Sequence, residues 1–257
     1  MVRSLLLLIA MLTLTATMLW AAGGGGYALP ELPPPYEYAT FLMDRSASAK
    51  GVKPVIFSHW LHRAEASCRI CHGELEFDMI VGETPVTEAD NREGRFCGAC
   101  HNGEFAFSVQ EEGNCSRCHS GELNSEKTRF AEFMKKGFPP TEFGDGIDWV
   151  KAIKRNIVSP AGYIYTPGSS MVSSKVVIFE TKIGRVAPAI FPHAPHGDWM
   201  DCSMCHPDLF PLEGKGLAKM TKPAILKGEY CGLCHLRVAF PMNDCPRCHP
   251  GMNTSQR

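Results

Sequence analysis

The sequence predicts a mostly irregular and α-helical chain with few strands, folded as two small modules in tandem. Three observations predict this. Cys-x-x-Cys-His occurs six times and uses all twelve cysteines of the 257 residues. The copies fall three and three, each group behind the same histidine-bearing segment, so the chain contains an internal duplication. Gly and Pro are abundant, and long periodic apolar runs are missing after the first twenty residues, so the polypeptide does not supply one large apolar core. Such a chain is loop and short helix wrapped around something else, and poorly folded without it.

The elements follow in order. Met1-Val2-Arg3, an apolar run from Leu5 to Trp20 and small residues from Ala21 onward read as a secretory signal peptide over 1–22, cut near Ala21 or Ala22. An uncleaved anchor is the competing reading, but the run is shorter than the ~20 residues a span needs. No other such segment follows, so no stable membrane span is expected after cleavage, and export to the periplasm or beyond is. Residues 23–50 read as an extended Pro/Gly-rich leader, with Pro30, Pro33, Pro34 and Pro35 favouring polyproline conformation. A formal charge of −1 gives no support for nucleic-acid binding.

The first module spans 51–122 and the second 188–251, with a linker over 123–187 and a tail over 252–257. Phe57-Ser58-His59-Trp60-Leu61-His62 opens the first and Phe191-Pro192-His193-Ala194-Pro195-His196 the second. In both, the second Cys motif is introduced by Gly-x-aromatic (Gly94 to Phe96, Gly228 to Tyr230), runs Cys-Gly-x-Cys-His, and is followed by Ala106-Phe107 or Ala239-Phe240. In the linker, the pattern predicts an amphipathic helix from Asp145 to Ile157, capped by Asp145, with Ile147, Val150, Ile153 and Ile157 on one face. Its Lys151, Lys154 and Arg155 then form a solvated face, with a partner-docking patch as the alternative. Ser173 to Thr181 alternates weakly, as a strand or hairpin arm would.

The six motifs are Cys68 to His72, Cys97 to His101, Cys115 to His119, Cys202 to His206, Cys231 to His235 and Cys245 to His249. Each reads as the attachment site of one covalent haem c. Two thiols (Cys68 and Cys71, Cys97 and Cys100, Cys115 and Cys118, Cys202 and Cys205, Cys231 and Cys234, Cys245 and Cys248) reach two vinyl groups on one porphyrin edge. The adjacent His then binds the iron. Zinc is the alternative for CxxC pairs, but a zinc knuckle does not need His after every pair. Of the ten histidines, six are His72, His101, His119, His206, His235 and His249 inside these motifs. The remaining four are His59, His62, His193 and His196, placed at matching offsets in the two repeats as second axial ligands would be.

Phe-x-His-x-x-His followed by three CxxCH motifs resembles the triheme cytochrome c7 family, relatives of the tetraheme c3 cytochromes, over about residues 55–120 and 189–250. The resemblance implies two small haem-cored modules and six haems in all. It implies that His59 completes the haem of His72, His62 that of His101, His193 that of His206 and His196 that of His235. The family's third haem takes a His between the first and second motifs, and neither repeat has one. Met79 and Met220, lying in that interval, are the candidates, and a five-coordinate third haem is the alternative. The resemblance implies an electron carrier, not an enzyme, exchanging electrons with redox donor and acceptor proteins or an extracellular acceptor in anaerobic or extracellular respiration. A multihaem reductase with an open-site haem, or a subunit of a haem-stacking assembly, are the alternatives.

Overall fold

The computed structural model describes residues 28–165, 172–181, 186–212 and 218–252. The stretch 1–22 expected to be a signal peptide and the last five residues lie outside them. No described helix is long and apolar enough to cross a membrane. The chain is mostly single helical turns and irregular segments, with two small two-stranded sheets.

Each repeat begins with a hairpin. Strand β1 (Thr40–Met43) pairs antiparallel with β2 (Val55–Ser58), and β3 (Val176–Phe179) with β4 (Ala189–Pro192). The registers correspond: Thr40 faces Ser58 and Val176 faces Pro192, in each case the residue just before the first histidine of the His-x-x-His pair. The expected strand within 173–181 is therefore β3, and its partner leads directly into the second repeat. A one-turn helix follows each inner strand, α1 (His59–His62) in the first repeat and a turn over Ala194–Gly197 in the second.

Part of the stretch read as an extended leader is folded. A turn at Pro34 is closed by the Glu37 and Tyr38 amides, and β1 follows it. Trp60, fully buried, donates its indole N–H to Thr40 Oγ1 at 3.0 Å, and Tyr38 donates its hydroxyl to the Ala239 carbonyl of the second repeat at 2.6 Å.

The expected helix from Asp145 to Ile157 is corrected. The helix, here α2, spans only Trp149–Lys154, and its cap is Asp148, whose side chain accepts from the Lys151 amide. Gly146 at φ 76° and Asn156 at φ 54° interrupt helical geometry on either side. Asp145 is instead buried, accepting from the Ile147 amide at 3.1 Å and the Trp149 indole at 2.8 Å. The inward face is Trp149 and Ala152 rather than Val150, while Lys151, Lys154 and Arg155 are exposed.

The hydrophobic core consists of Trp60, Ala64, Phe133, Phe138, Ile147, Trp149, Ala152, Val158 and Trp199. Six of these nine come from the joining segment, so that segment is a wedge on which both repeats pack. Its Phe133 lies on the helix Glu126–Met134, which also buries Glu126. There Glu126 accepts from Ser58 at 2.7 Å and from Arg129 at 2.9 Å, which satisfies the buried carboxylate. Backbone bonds pin the wedge's far end to the first motif: Ser67 N to Ala161 O at 2.9 Å and Ala161 N to Glu65 O at 2.8 Å.

Candidate metal centres

The two-residue spacing inside His-x-x-His places both rings beside the last turn of an inner strand, and one phenylalanine sets both. Phe57 meets His59 edge-on at 4.8 Å and lies against His62 at 4.3 Å; Phe191 meets His193 at 4.9 Å and His196 at 4.4 Å. The near-identity of the two sets explains why the motif carries Phe two residues before its first His.

All ten histidines share one feature. The Nδ1 of each lies against a backbone carbonyl, which only accepts hydrogen bonds, so Nδ1 carries the proton and the Nε2 lone pair is left for a metal. His59 bonds Ala39 O at 3.1 Å and His193 bonds Lys175 O at 2.8 Å, both at the residue before an outer strand. His62 bonds Ser58 O at 2.9 Å and His196 bonds Pro192 O at 2.9 Å. In the first motifs His72 bonds Phe77 O at 2.8 Å and His206 bonds Phe210 O at 2.5 Å. In the second, His101 bonds Phe107 O at 3.2 Å and His235 bonds Phe240 O at 2.9 Å. In the third, His119 bonds Lys53 O and His249 bonds Ala187 O, both at 2.7 Å. Lys53 and Ala187 each lie six residues before the first His of their repeat, so this bond folds the third motif back onto the start of the module.

Three pairs of rings face one another. His59 and His72 stand 6.4 Å apart, centre to centre, and nearly parallel at 4°. His62 and His101 stand 6.2 Å apart at 59°, and His196 and His235 also 6.2 Å apart at 63°. Two imidazoles binding one metal ion from opposite sides, with nitrogens at ~2.0–2.1 Å and ring centres roughly 1.1 Å further out, stand ~6.3 Å apart. The donor set therefore fits an iron held between two imidazoles. The fourth expected pair, His193 with His206, is not among these facing rings. Among the described residues no three of His, Cys, Asp and Glu cluster as they would around a shared zinc ion.

Burial favours the neutral form at several of these side chains. Burial pushes His59 down to about 3 and His235 down to about 4, so these imidazoles stay unprotonated and able to ligate. Burial pushes the thiols of Cys71 and Cys234 up to about 12, and those of Cys97 and Cys248 up to about 11. These pockets disfavour a thiolate and suit an uncharged sulfur, as in a thioether.

The second motif of each repeat is built around a close approach. A Cβ on Gly98 would lie 1.8 Å from the Asn91 carbonyl oxygen, and one on Gly232 would lie 1.8 Å from that of Ile225. Those carbonyls belong to matching helices, Glu88–Arg92 and Lys222–Leu226, each N-capped by a threonine, Thr87 or Thr221. The aromatic residue ahead of each motif adopts positive φ, 47° at Phe96 and 52° at Tyr230, and packs on Phe77 or Phe210.

Met79 and Met220 are half-buried between the first and second motifs. Arg45 holds the loop after Met79 through the Gly82 and Glu83 carbonyls, at 2.7 and 3.0 Å. No described contact joins either methionine to His119 or His249.

Residues 55–120 and 189–250 each match the family model for cytochrome c7 and related cytochrome c. The chain belongs to this family. As a cytochrome c7 relative it is a multihaem c-type cytochrome, whose domains bind covalent haem c and whose work is electron transfer. Among solved structures it is similar to a c7-type three-heme cytochrome domain, at 38% identity over 34% of this chain and 94% of that one, with a TM-score of 0.28. It is similar also to the C-terminal hexaheme fragment of GSU1996, at 27% identity over 85% and 99%, with a TM-score of 0.28. For the dodecaheme cytochrome c GSU1996 the values are 27% identity, 84% and 75%, and 0.27. No curated protein matches the chain.

Sequence reasoning on this cytochrome missed the carbonyl acceptors behind the ten rings and the residues that join the two repeats. Matching offsets in the duplication point to the first set. Arg63, Arg69, Trp149 and Trp199 belong to the second, and no motif marks them.

Proposed function

We propose that this cytochrome is an exported hexahaem protein that carries electrons along closely spaced haems in anaerobic or extracellular respiration. On this reading the signal peptide over 1–22 is removed and the product is periplasmic or extracellular. Triheme modules over 51–122 and 188–251 flank the joining segment 123–187. The partners are redox donor and acceptor proteins or an extracellular acceptor. His59 with His72, His62 with His101, His193 with His206 and His196 with His235 would each hold one haem iron. Met79 and Met220 are the proposed second ligands at the sites of His119 and His249.

When bound, haem c supplies one-electron exchange between ferric and ferrous iron. The chain's own part is to hold and tune. The Nδ1-to-carbonyl bonds orient each ring and make its Nε2 a better donor. At the buried rings, among them His59 and His235, the apolar surroundings keep water and protons from competing for that nitrogen. With two imidazoles on an iron, no position is left for a substrate, which is why the reading is a carrier and not an enzyme. The single observation that supports it most is the set of ten tethered rings, three pairs of which stand 6.2–6.4 Å apart.

Mass spectrometry of the mature protein is expected to give the polypeptide plus six haems. Magnetic circular dichroism of the oxidised protein is expected to show four bis-histidine haems and two of other ligation. A bare polypeptide mass, or six bis-histidine signals, overturns the respective part. Replacing His59 by Met is expected to raise the potential of one haem only, since thioether ligation favours the ferrous state; an unchanged redox titration removes His59 from the ligand set.

A further inference from the structure

The residues that break the duplication lie together at the seam between the repeats. Four residues after the first histidine of the pair, the first repeat has Arg63 and the second has Gly197. Arg63 reaches across the seam: its guanidinium donates to the Val238 carbonyl at 3.3 Å, three residues beyond His235. It is sandwiched by two tryptophans, 4.4 Å from the Trp149 ring centre and 4.8 Å from that of Trp199. Its Nε–H is buried and finds no hydrogen-bond partner. Near it, Arg69, from inside the first motif, is 4% exposed and grips the approach to the fourth motif through the Gly197 and Met200 carbonyls at 2.7 and 3.2 Å.

A buried guanidinium resting on two π-faces keeps its charge while shedding water. In that setting the charge acts over a longer range than it would at the surface. Cys68 packs against the cluster that contains Trp149 and Trp199, and Val238, whose carbonyl Arg63 holds, donates its amide to the Cys234 carbonyl at 3.0 Å, so the charge sits beside both attachment sites. Asp145 is the buried carboxylate whose charge opposes that of Arg63. Its carboxylate accepts from the Trp149 indole at 2.8 Å and from the Ile147 amide at 3.1 Å.

We propose that Arg63 is the fixed charge that holds up the reduction potentials of the two haems at the seam, those attached at Cys68–Cys71 and at Cys231–Cys234. The proposal rests on the hexahaem reading above. Taking one electron converts ferric to ferrous iron and lowers the charge on that centre by one. A cation nearby penalises the ferric form more than the ferrous form, so it raises the potential. The two haems where the repeats meet are then more easily reduced than they would be without the cation, which favours passage of an electron from one module to the other.

The test compares the mature holoprotein with R63M, R63K and D145N, each first weighed for its haem count. Redox titration is followed at the individual haem methyl resonances by nuclear magnetic resonance, with dithionite as the electron source. R63M is expected to lower the reduction equilibrium of two of the six haems about tenfold, which is about 59 mV for a one-electron couple. R63K is expected to restore both, and D145N to move the same two in the opposite direction. Should R63M fail to fold, the upward shift in D145N decides. Potentials that do not move, or that move equally at all six haems, overturn the role of Arg63 while leaving the hexahaem reading intact. A wild-type mass lacking covalent haem overturns that reading, and the proposal with it.

Discussion

Trp149→Ala is expected to destabilise the folded protein by about 3–5 kcal/mol, the cost of emptying a large aromatic site in a packed core. Trp149 is 6% exposed and touches Phe133, Phe138 and Trp199, at ring separations of 6.4, 5.6 and 6.3 Å. Its loss also strips the Asp145 carboxylate of the indole donor at 2.8 Å and Arg63 of one π-face. Both charges stay buried, and a buried charge short of a partner costs more than an equivalent apolar gap. The core holds residues of both repeats and of the joining segment, so the damage falls on their docking rather than on either module. For a chain of this size the loss corresponds to a drop in melting temperature of about 6–20 °C. Thermal unfolding of the holoprotein measures it, with Val150→Ala, half-buried on the same helix, as the control. A Trp149→Ala protein that melts with the control would mean that the wedge does not hold the repeats together.

The duplication was the legible part of this chain. Two residues on either side of a fixed spacing carry the metal chemistry, so motif order and offset lead to the haem sites without any knowledge of packing. The hairpin arm at 173–181 was legible for a similar reason, since alternation is a local signal. The joining segment was not. Phe133, Phe138, Trp149 and Val158 follow no single helical period, because they come from two helices and the irregular stretches after each, which converge only in space. Asp145 has the sequence pattern of a cap, because Asp ahead of an apolar run caps helices, but tertiary bonding takes it from that role: Gly146 turns the chain at φ 76°, so Asp148 becomes the first residue able to cap. The seam was hidden in the differences between the repeats. Arg63 against Gly197, and Trp199 against Glu65, occupy matching offsets with unlike chemistry, and only the fold shows that these mismatches meet.

A glycine at the matching offset in each repeat is as sensitive to substitution as Trp149. Gly98→Ala and Gly232→Ala are each expected to cost one haem per molecule, at the second motif of the repeat concerned. Both glycines sit in Cys-Gly-x-Cys-His, and in both an added Cβ would lie 1.8 Å from a backbone carbonyl oxygen. A clash with a side chain is relieved by rotation, but a carbonyl within a helix moves only with the helix. In the first repeat that helix is fixed by a reciprocal cap, Thr87 accepting from the Asp90 amide at 3.1 Å while Asp90 accepts from the Thr87 amide at 2.9 Å. In the second, Thr221 accepts from the Ala224 amide at 3.3 Å. The strain must then appear in the motif itself, where the two thiols would have to reach one porphyrin edge while the imidazole of His101 or His235 would reach the iron. Overpacking a well-filled site ordinarily costs about 1–3 kcal/mol, and here the displaced atoms are the ones that present the ligands. Gly113→Ala is the control, because a Cβ there meets nothing within 4 Å. Intact mass of the exported protein reads the outcome directly: one haem fewer in each motif variant and an unchanged count in the control. A full haem complement in Gly98→Ala, with unaltered melting, would show that the helix yields and that the glycine is not what shapes the second site.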